Sequence, residues 1–297
     1  MPILSVKGLH KYYGPIHALN GISFDVPPQS VFGILGPNGS GKTTLLGIIM
    51  DILRPTSGSF TLFDQPPSEA LRRRMGTLLE TPNFYHYLTG EQNLQIAARI
   101  KQKDPADIPR VLELVDLVNR KDSRFSTYSL GMKQRLAVAS CLLGDPDVLV
   151  FDEPTNGLDP VGIADTRALI RKLSLQGKTI IMASHLLDEV EKVCTHVAIL
   201  QKGNLITHGH VDEILVHDDI VEAGTGDMLR LIDTLGELPG LTQYKENGQY
   251  AHLYFPSGQA DLEAINRFFF SRDILLNHLR LNRKSLETKF FELTQNH

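Results

Sequence analysis

A chain of 297 residues holds one large domain, or a medium domain with a smaller one, and its 42% apolar content is ordinary for a globular protein. A net charge of −4 gives no global attraction to nucleic acid, so no nucleic-acid partner is expected. No stretch reaches the roughly 18 uninterrupted apolar residues of a membrane helix, and Met1-Pro2-Ile3-Leu4-Ser5 lacks the basic start and apolar core of a secretion signal, so a cytoplasmic chain that docks on a membrane protein is allowed but a spanning one is not.

The alternation from Ile3 to Tyr12 and from Ile22 to Val26 predicts two strands, the second stopped by Pro27-Pro28. Tyr12 and Tyr13 precede Gly14. An aromatic there stacks on a purine ring or packs inward, and position alone favours neither. Val31–Leu35 reads as a buried strand, and Thr44 to Leu53 as a helix with Leu45, Leu46, Ile48, Ile49 and Ile52 apolar. Between them Gly36-Pro37-Asn38-Gly39-Ser40-Gly41-Lys42-Thr43 fits G-x-x-x-x-G-K-[ST] at every fixed position. A strand, a glycine-rich turn and a helix start form an anion trap. Backbone N–H groups converge on the ligand and the helix N-terminus adds partial positive charge. Lys42 is expected on the β- and γ-phosphates, and the Thr43 hydroxyl on Mg²⁺.

Arg54-Pro55-Thr56-Ser57-Gly58 is a turn by composition, and Arg72-Arg73-Arg74 reads as a solvated helix face. Gly76–Leu79 predicts a short strand ending at Glu80. Thr89-Gly90-Glu91-Gln92 has capping-box spacing and opens a helix to about Ile100. Pro105 to Val118 carries a second helical pattern. Ser129 is the expected N-cap of a helix running to about Leu143. The span of about 81–143 is therefore a candidate helical subdomain.

Val148-Leu149-Val150-Phe151 is a continuous apolar run, as in a central parallel strand, and ends in Asp152-Glu153. A carboxylate pair there sits where open α/β sheets bind ligands. Asn156–Pro160 turns into a helix from Val161 to about Ser174. Thr179–Met182 is the next strand, ending at Ser184-His185, with a helical run from Leu186 to Val193. Val197–Leu200 is one more, closed by Gly203-Asn204. Cys141 and Cys194 stand among apolar residues and read as buried free thiols, with no disulfide or metal site.

In this order the motifs resemble the ATP-binding-cassette (ABC) family of nucleotide-binding domains, over about residues 1–215. Ser129-Leu130-Gly131-Met132-Lys133-Gln134 resembles the family's signature sequence, and its place ahead of the Asp-Glu strand excludes kinases and GTPases. The resemblance implies an α/β fold: a P-loop NTPase core with a mostly parallel sheet, antiparallel N-terminal strands and a helical subdomain. It implies ATP and Mg²⁺ as ligands. Tyr13 then stacks on adenine. Gly36, Pro37, Asn38, Gly39, Ser40, Gly41, Lys42, Thr43 and Thr44 hold the phosphates. Thr43, Glu80 and Asp152 serve the metal, Glu153 is the general base, and His185 contacts the γ-phosphate. Asp159 couples two sites of a dimer, and Ser129, Gly131 and Met132 act on the partner's nucleotide.

Two departures stand out: the family's usual Leu-Ser-Gly-Gly-Gln is Tyr128-Ser129-Leu130-Gly131-Met132 here, and Glu80 stands where glutamine is usual. Both look like bacterial exporter ATPases paired with separate ABC-2-type permeases. The implied partners are an integral-membrane permease and a second ATPase subunit, identical or related, on the inner face of the membrane. A soluble cassette acting on nucleic acid or ribosomes, an importer ATPase and a regulatory module without turnover are the competing readings. The single cassette and acidic balance argue against the first. Intact Lys42, Asp152, Glu153 and His185 argue against the last.

Residues 216–297 read as an accessory α+β domain: strand Asp219–Ala223, helix Asp227–Gly236, strands Leu241–Glu246 and Gln249–Phe255 around Asn247-Gly248, helix Gln259–Ser271, strand Ile274–Leu281 and helix Ser285–Leu293. The order is that of a split βαβ sandwich. A stabilising or dimer-supporting extension is the expectation, ahead of a ligand sensor.

Overall fold

The computed structural model describes residues 1–79, 83–214 and 219–282. The chain divides into two compact units, Met1–Val211 and Asp212–His297. The boundary expected at residue 215 falls outside the described residues, as do Glu80 and the helix expected at Ser285–Leu293.

The first unit opens with β1 (Leu4–Tyr13) and β2 (Ile16–Val26). They pair antiparallel, and β4 (Ser57–Leu62) joins the other side of β1 to make a three-stranded sheet. The sequence marks the start of β4 as a turn. Ser57, Gly58 and Ser59 are exposed and polar, and it is pairing with β1 that makes them a strand. The central sheet has the order β5-β6-β7-β3-β8-β9, built from β3 (Val31–Leu35), β5 (Met75–Leu78), β6 (Val148–Asp152), β7 (Thr179–Ser184), β8 (His196–Gln201) and β9 (Asn204–His210). Its strands run parallel except β9, which the sequence does not announce and which folds back antiparallel on β8. Strands β3, β6 and β7 are buried along their whole length, as continuous apolar runs require in a sheet covered on both faces.

Helix α1 (Lys42–Ile49) follows β3 and lies in one core with both sheets: Leu45, Leu46, Ile48 and Ile49 pack with Leu4, Phe24, Ile34 and Val150. It stops four residues short of the expected Leu53. Asp51 turns left-handed at φ 66°, Ile52 and Leu53 return their N–H groups to Gly47 O at 2.9 and 3.0 Å, and Ile52 is left exposed. Helix α2 (Glu69–Arg72) is short. Each arginine at 72–74 is ion-paired, with Asp51, Glu69 and Asp147 respectively, so the run is a set of separate pairs rather than a patch.

The helical region comprises α3 (Gly90–Ile100), α4 (Ile108–Leu114) and α5 (Leu130–Leu142). Thr89 and Gln92 form both bonds of the predicted capping box. Buried Asn93 accepts from Tyr85 N–H at 2.8 Å and donates to Tyr85 O and Thr89 O, fixing the approach to α3. Asp107 holds Arg110 through bonds of 2.5 and 2.8 Å and also accepts from Gly144 N–H at 2.7 Å. Arg110 reaches Leu142 O, so this pair ties α4 to the far end of α5. Helices α6 (Pro160–Leu175) and α7 (Leu187–Val193) follow in the same unit, and the short α8 (Val211–Ile214) starts at its last residue.

The second unit has β10 (Asp219–Thr225), α9 (Met228–Thr234), β11 (Gln243–Asn247), β12 (Tyr250–Phe255), α10 (Leu262–Phe270) and β13 (Leu276–Asn282). The sheet order is β11-β12-β10-β13, every pair antiparallel, which is the split βαβ arrangement the sequence predicts. Leu231, Ile265 and Phe269 from the helices close its core on Val221, Leu253 and Phe255. The hairpin turns at Gly248-Gln249, one residue later than the Asn247-Gly248 signal, because Asn247 pairs with Tyr250. Glu222 lies 3.3 Å from Nε2 of both His252 and His278.

Candidate functional site

Parallel strands bring the chemistry to one edge. The C-terminal ends of β6, β7 and β3 lie side by side: Asp152 pairs with Ala183, and Ser184 with Leu35. Glu153 N–H donates to Ala183 O at 3.0 Å, so the residue after Asp152 is held over the end of β7. There Glu153 adopts φ 49°, a left-handed conformation costing a non-glycine residue about 1 kcal/mol, as is common where function fixes a side chain. The loop from Gly36 closes over β3, and at Gly41 the backbone takes φ 107°. A Cβ there would stand 2.5 Å from Ala18 O, so only glycine lets the loop pass under β2.

Lys42 is 5% exposed. Its Nζ donates to Gly36 O at 2.8 Å and to Pro37 O at 3.2 Å, and lies 3.5 Å from Glu153 Oε1. The other oxygen of Glu153 stands 2.8 Å from His185 Nδ1. Lys42, Glu153 and His185, expected as the catalytic set, are thus one chain of contacts from the loop to the end of β7. Bonding a buried ammonium to carbonyls and a carboxylate offsets its desolvation. A phosphate chain offers stronger acceptors to the same ammonium.

A cavity of about 430 Å³ opens above this chain, lined by Asn38, Gly39, Ser40, Gly41, Lys42, Thr43, Thr44 and Glu153. Gly36 and Pro37 are not among the lining residues and meet the cavity's Lys42 through their carbonyls. Ser40 Oγ and Thr155 Oγ1 are buried oxygens with no hydrogen-bond partner among the described residues. The exposed Thr43 hydroxyl and the Asp152 carboxylate are oxygen donors, the kind a small hard cation such as Mg²⁺ takes while keeping waters and phosphate oxygens as its other ligands. Glu80, the third expected metal-site residue, lies outside the described residues.

Tyr13 stands at the end of β1, 44% exposed, with Lys11 Nζ 4.9 Å from its ring centre. It is not among the residues lining the cavity, whereas Ile16, His17, Ala18 and Lys202 are. None of these four belongs to a motif. Pairing of β2 with the β8–β9 turn, through Asn20 N–H to Gly203 O at 2.8 Å, brings them there across 180 residues of chain, and no local signal carries that information.

The signature residues line a different cavity of about 380 Å³, formed by Ser129, Leu130 and Gly131 with Gly157, Leu158 and Asp159. Ser129 caps α5, its Oγ accepting from Met132 N–H at 3.2 Å, and Met132 itself is not among the lining residues. Asp159 caps α6 in the same way, accepting from Gly162 N–H at 2.9 Å. The phosphate-loop and signature cavities share no residue.

A groove of about 590 Å³ runs between the end of β5, α3 and α5, lined by Leu79, Phe84, Tyr85, Ile96 and Lys101 among others. Burial holds the Lys101 ammonium below its usual pKa, and it donates to Ser140 O at 2.7 Å. Cys141, also on this wall, is a buried free thiol pushed up to about 11 by burial. Cys194 is likewise buried and free.

A phosphate loop after a central parallel strand, an acidic pair at the end of a second strand and a histidine at the end of the strand between them define a P-loop ATPase domain. Comparison with known proteins narrows the class. The family model described as "ABC transporter" matches residues 19–156. The bacitracin transport ATP-binding protein BcrA of Enterococcus faecalis is 33% identical, over 98% of this chain and 96% of its own. The Nod factor export ATP-binding protein I of Ralstonia nicotianae is 38% identical, over 79% of this chain and 76% of its own. Among solved structures, cbiO1 of Clostridium perfringens, part of the ABC transporter complex cbiONQ, aligns with TM-score 0.66 at 29% identity, over 80% of this chain and 96% of that one. The chain belongs to the ABC transporter family, as an ATP-binding, ATP-hydrolysing subunit. Its place as the ATPase of a transporter implies a membrane permease partner, and among the described residues no helix is long and apolar enough to cross a membrane.

Proposed function

We propose that this chain energises export, as a pair of cassettes mounted on a separate permease at the inner face of the membrane. The observation that carries the catalytic assignment is the Lys42–Glu153–His185 chain of contacts at the phosphate loop. ATP entering the cavity draws Lys42 away from Gly36 O and Pro37 O onto its phosphates, which frees Glu153 Oε1. His185 keeps the carboxylate oriented, and Glu153 aligns a water for in-line attack on the γ-phosphorus. Positioning and charge stabilisation supply most of the catalysis in such sites. Thr43 and Asp152 would hold Mg²⁺, which would supply charge neutralisation on the phosphate oxygens. The backbone of Asn38 to Thr44 supplies the rest of the cradle.

The separation of Ser129, Gly131 and Asp159 from the phosphate-loop cavity supports a site completed by a second subunit. Export is supported by the relatives named for bacitracin transport and Nod factor export. The apolar groove at Phe84, Tyr85 and Ile96 is our candidate for docking a cytoplasmic segment of the permease. Ala137, Ser140 and Cys141 of α5 form part of its wall, so a push there reaches Ser129 along one helix. The unit from Asp212 onward we regard as an accessory module that stabilises the assembly.

The test is turnover and binding of Glu153→Gln and Lys42→Ala. The first is expected to lose ATP hydrolysis about 10²-fold or more while still binding ATP, and the second to lose tight nucleotide binding. Native turnover by Glu153→Gln would remove Glu153 from the role of base.

A further inference from the structure

The phosphate-loop cavity has one cation that the reading above does not use. Lys202 lines it from the turn between β8 and β9, opposite in sequence to every motif. Its neighbours fix that turn tightly. Gly203 N–H donates to Ser40 O, within the phosphate loop, at 3.1 Å, and Asn20 N–H donates to Gly203 O at 2.8 Å. The Asn20 side chain donates to Asn204 Oδ1 at 2.9 Å. A Cβ on Gly203 would stand 2.6 Å from His17 O and 2.9 Å from Ala18 O, so glycine allows the turn to lie directly on β2. Lys202 itself takes φ 47°, the left-handed conformation of a tight turn. A hairpin tip is ordinarily a mobile place for a lysine. This one is bonded to the loop that holds the phosphates.

The charges around the cavity are unevenly matched. Lys42 is paired with Glu153, and Glu153 with His185. The His17 ring lies 4.3 Å from that of Tyr12, centre to centre. The Lys202 ammonium has no hydrogen bond or ion pair among the described residues; only its backbone carbonyl is engaged, by Asn204 Nδ2. It is the uncompensated charge on the wall. A lysine ammonium is a compact, strongly hydrated point charge on a flexible stem, and its best complement is an anion rather than a neutral base. We infer that Lys202 is a second phosphate-chain cation, a nucleotide-binding residue supplied by the β8–β9 turn, which draws bound nucleotide toward β2 and sets its affinity. The inference rests on the reading of this cavity as the nucleotide site. It differs from that reading in its source: the turn reaches the cavity by sheet pairing, with no sequence motif.

The experiment is equilibrium binding of ADP, ATP and GTP to the full-length chain at two salt concentrations, with wild type, Lys202→Ala, Lys202→Arg, Lys202→Glu and Lys42→Ala compared. Lys202→Ala is expected to raise Kd about three- to fivefold, as for one solvent-exposed charge contact, and to flatten the salt dependence. Lys202→Arg retains wild-type affinity, and Lys202→Glu weakens binding further than alanine does. Unchanged affinity in Lys202→Ala and Lys202→Glu, with Lys42→Ala still impaired, overturns the role of Lys202 and leaves the nucleotide site standing. Unchanged affinity in all of them, Lys42→Ala included, overturns the cavity assignment itself. A loss in Lys202→Ala that leaves the salt slope intact and alters preference for ATP over GTP places the ammonium on the base and overturns the phosphate contact.

Discussion

The phosphate-loop and signature cavities of the first unit differ in what they contain. The phosphate-loop cavity is furnished from within: the buried Lys42 ammonium and the Glu153 carboxylate line one space with Asn38 to Thr44, and the His185 imidazole holds the other oxygen of Glu153. The signature cavity has mixed walls, with Gly131, Gly157 and half-exposed Leu130 among its lining, and its Ser129 and Asp159 cap their own helices. The first can bind and orient; the second has little to act on by itself. That contrast is the one the proposed two-subunit site requires, with the cradle of one subunit facing the signature of another.

This contrast can be broken from either side. The largest effect is expected from Ser129→Trp. It leaves the cradle untouched, so ADP affinity stays at the wild-type value, yet turnover falls about 10²-fold, as when one preorganised contact to transition-state charge is removed. Equal losses in binding and turnover would mean that the signature serves its own chain's nucleotide.

A smaller effect sharpens the comparison through stability. The hydrogen bonds from Arg110 hold the Asp107 carboxyl below its usual range, with Gly144 N–H adding to this against the cost of partial burial. A carboxyl whose folded pKa is depressed stabilises the fold above its unfolded value and loses that contribution as pH falls through the folded value. Asp107→Asn is therefore expected to cost about 1 kcal/mol near neutral pH, and the difference from wild type should vanish in acid below the ordinary carboxyl range. Because the pair anchors the end of α5, thermal unfolding should shift while nucleotide affinity does not. A stability difference that persists unchanged in strong acid would show that the ion pair is not its source.

Legibility in the sequence follows the same division. The cradle was readable because its chemistry is backbone chemistry. Gly36 to Thr43 must have those glycines for the loop to close, and a continuous run such as Val148–Phe151 fits a buried parallel strand. Caps were readable for a similar reason, since Ser129 and Thr89 each accept from the N–H group three residues on, whereas Asp159, read as part of a turn, caps α6 in the same way without having been marked as a cap. What was not readable depends on distant pairing. Strand β4 is polar at its exposed start, β9 lies at the edge of its sheet, and the wall residues Ile16, His17 and Lys202 meet only after β2 and the β8–β9 turn have been joined. The early end of α1 belongs here too. Apolar spacing carries the pattern on to Ile52, while Asp51 has already turned the chain.

The most direct measurement is ATP turnover of a mixture of Lys42→Ala and Ser129→Trp chains. Each variant alone should be nearly inactive, the first for want of a cradle and the second for want of a signature. A mixed pair brings the intact loop of one chain to the intact signature of the other. For random pairing with independent sites the mixture should recover about a quarter of wild-type turnover, from one working site in half of the two-fold dimers. A mixture no more active than its separate components, or a Ser129→Trp chain that hydrolyses ATP at the native rate on its own, would contradict a site shared between two copies.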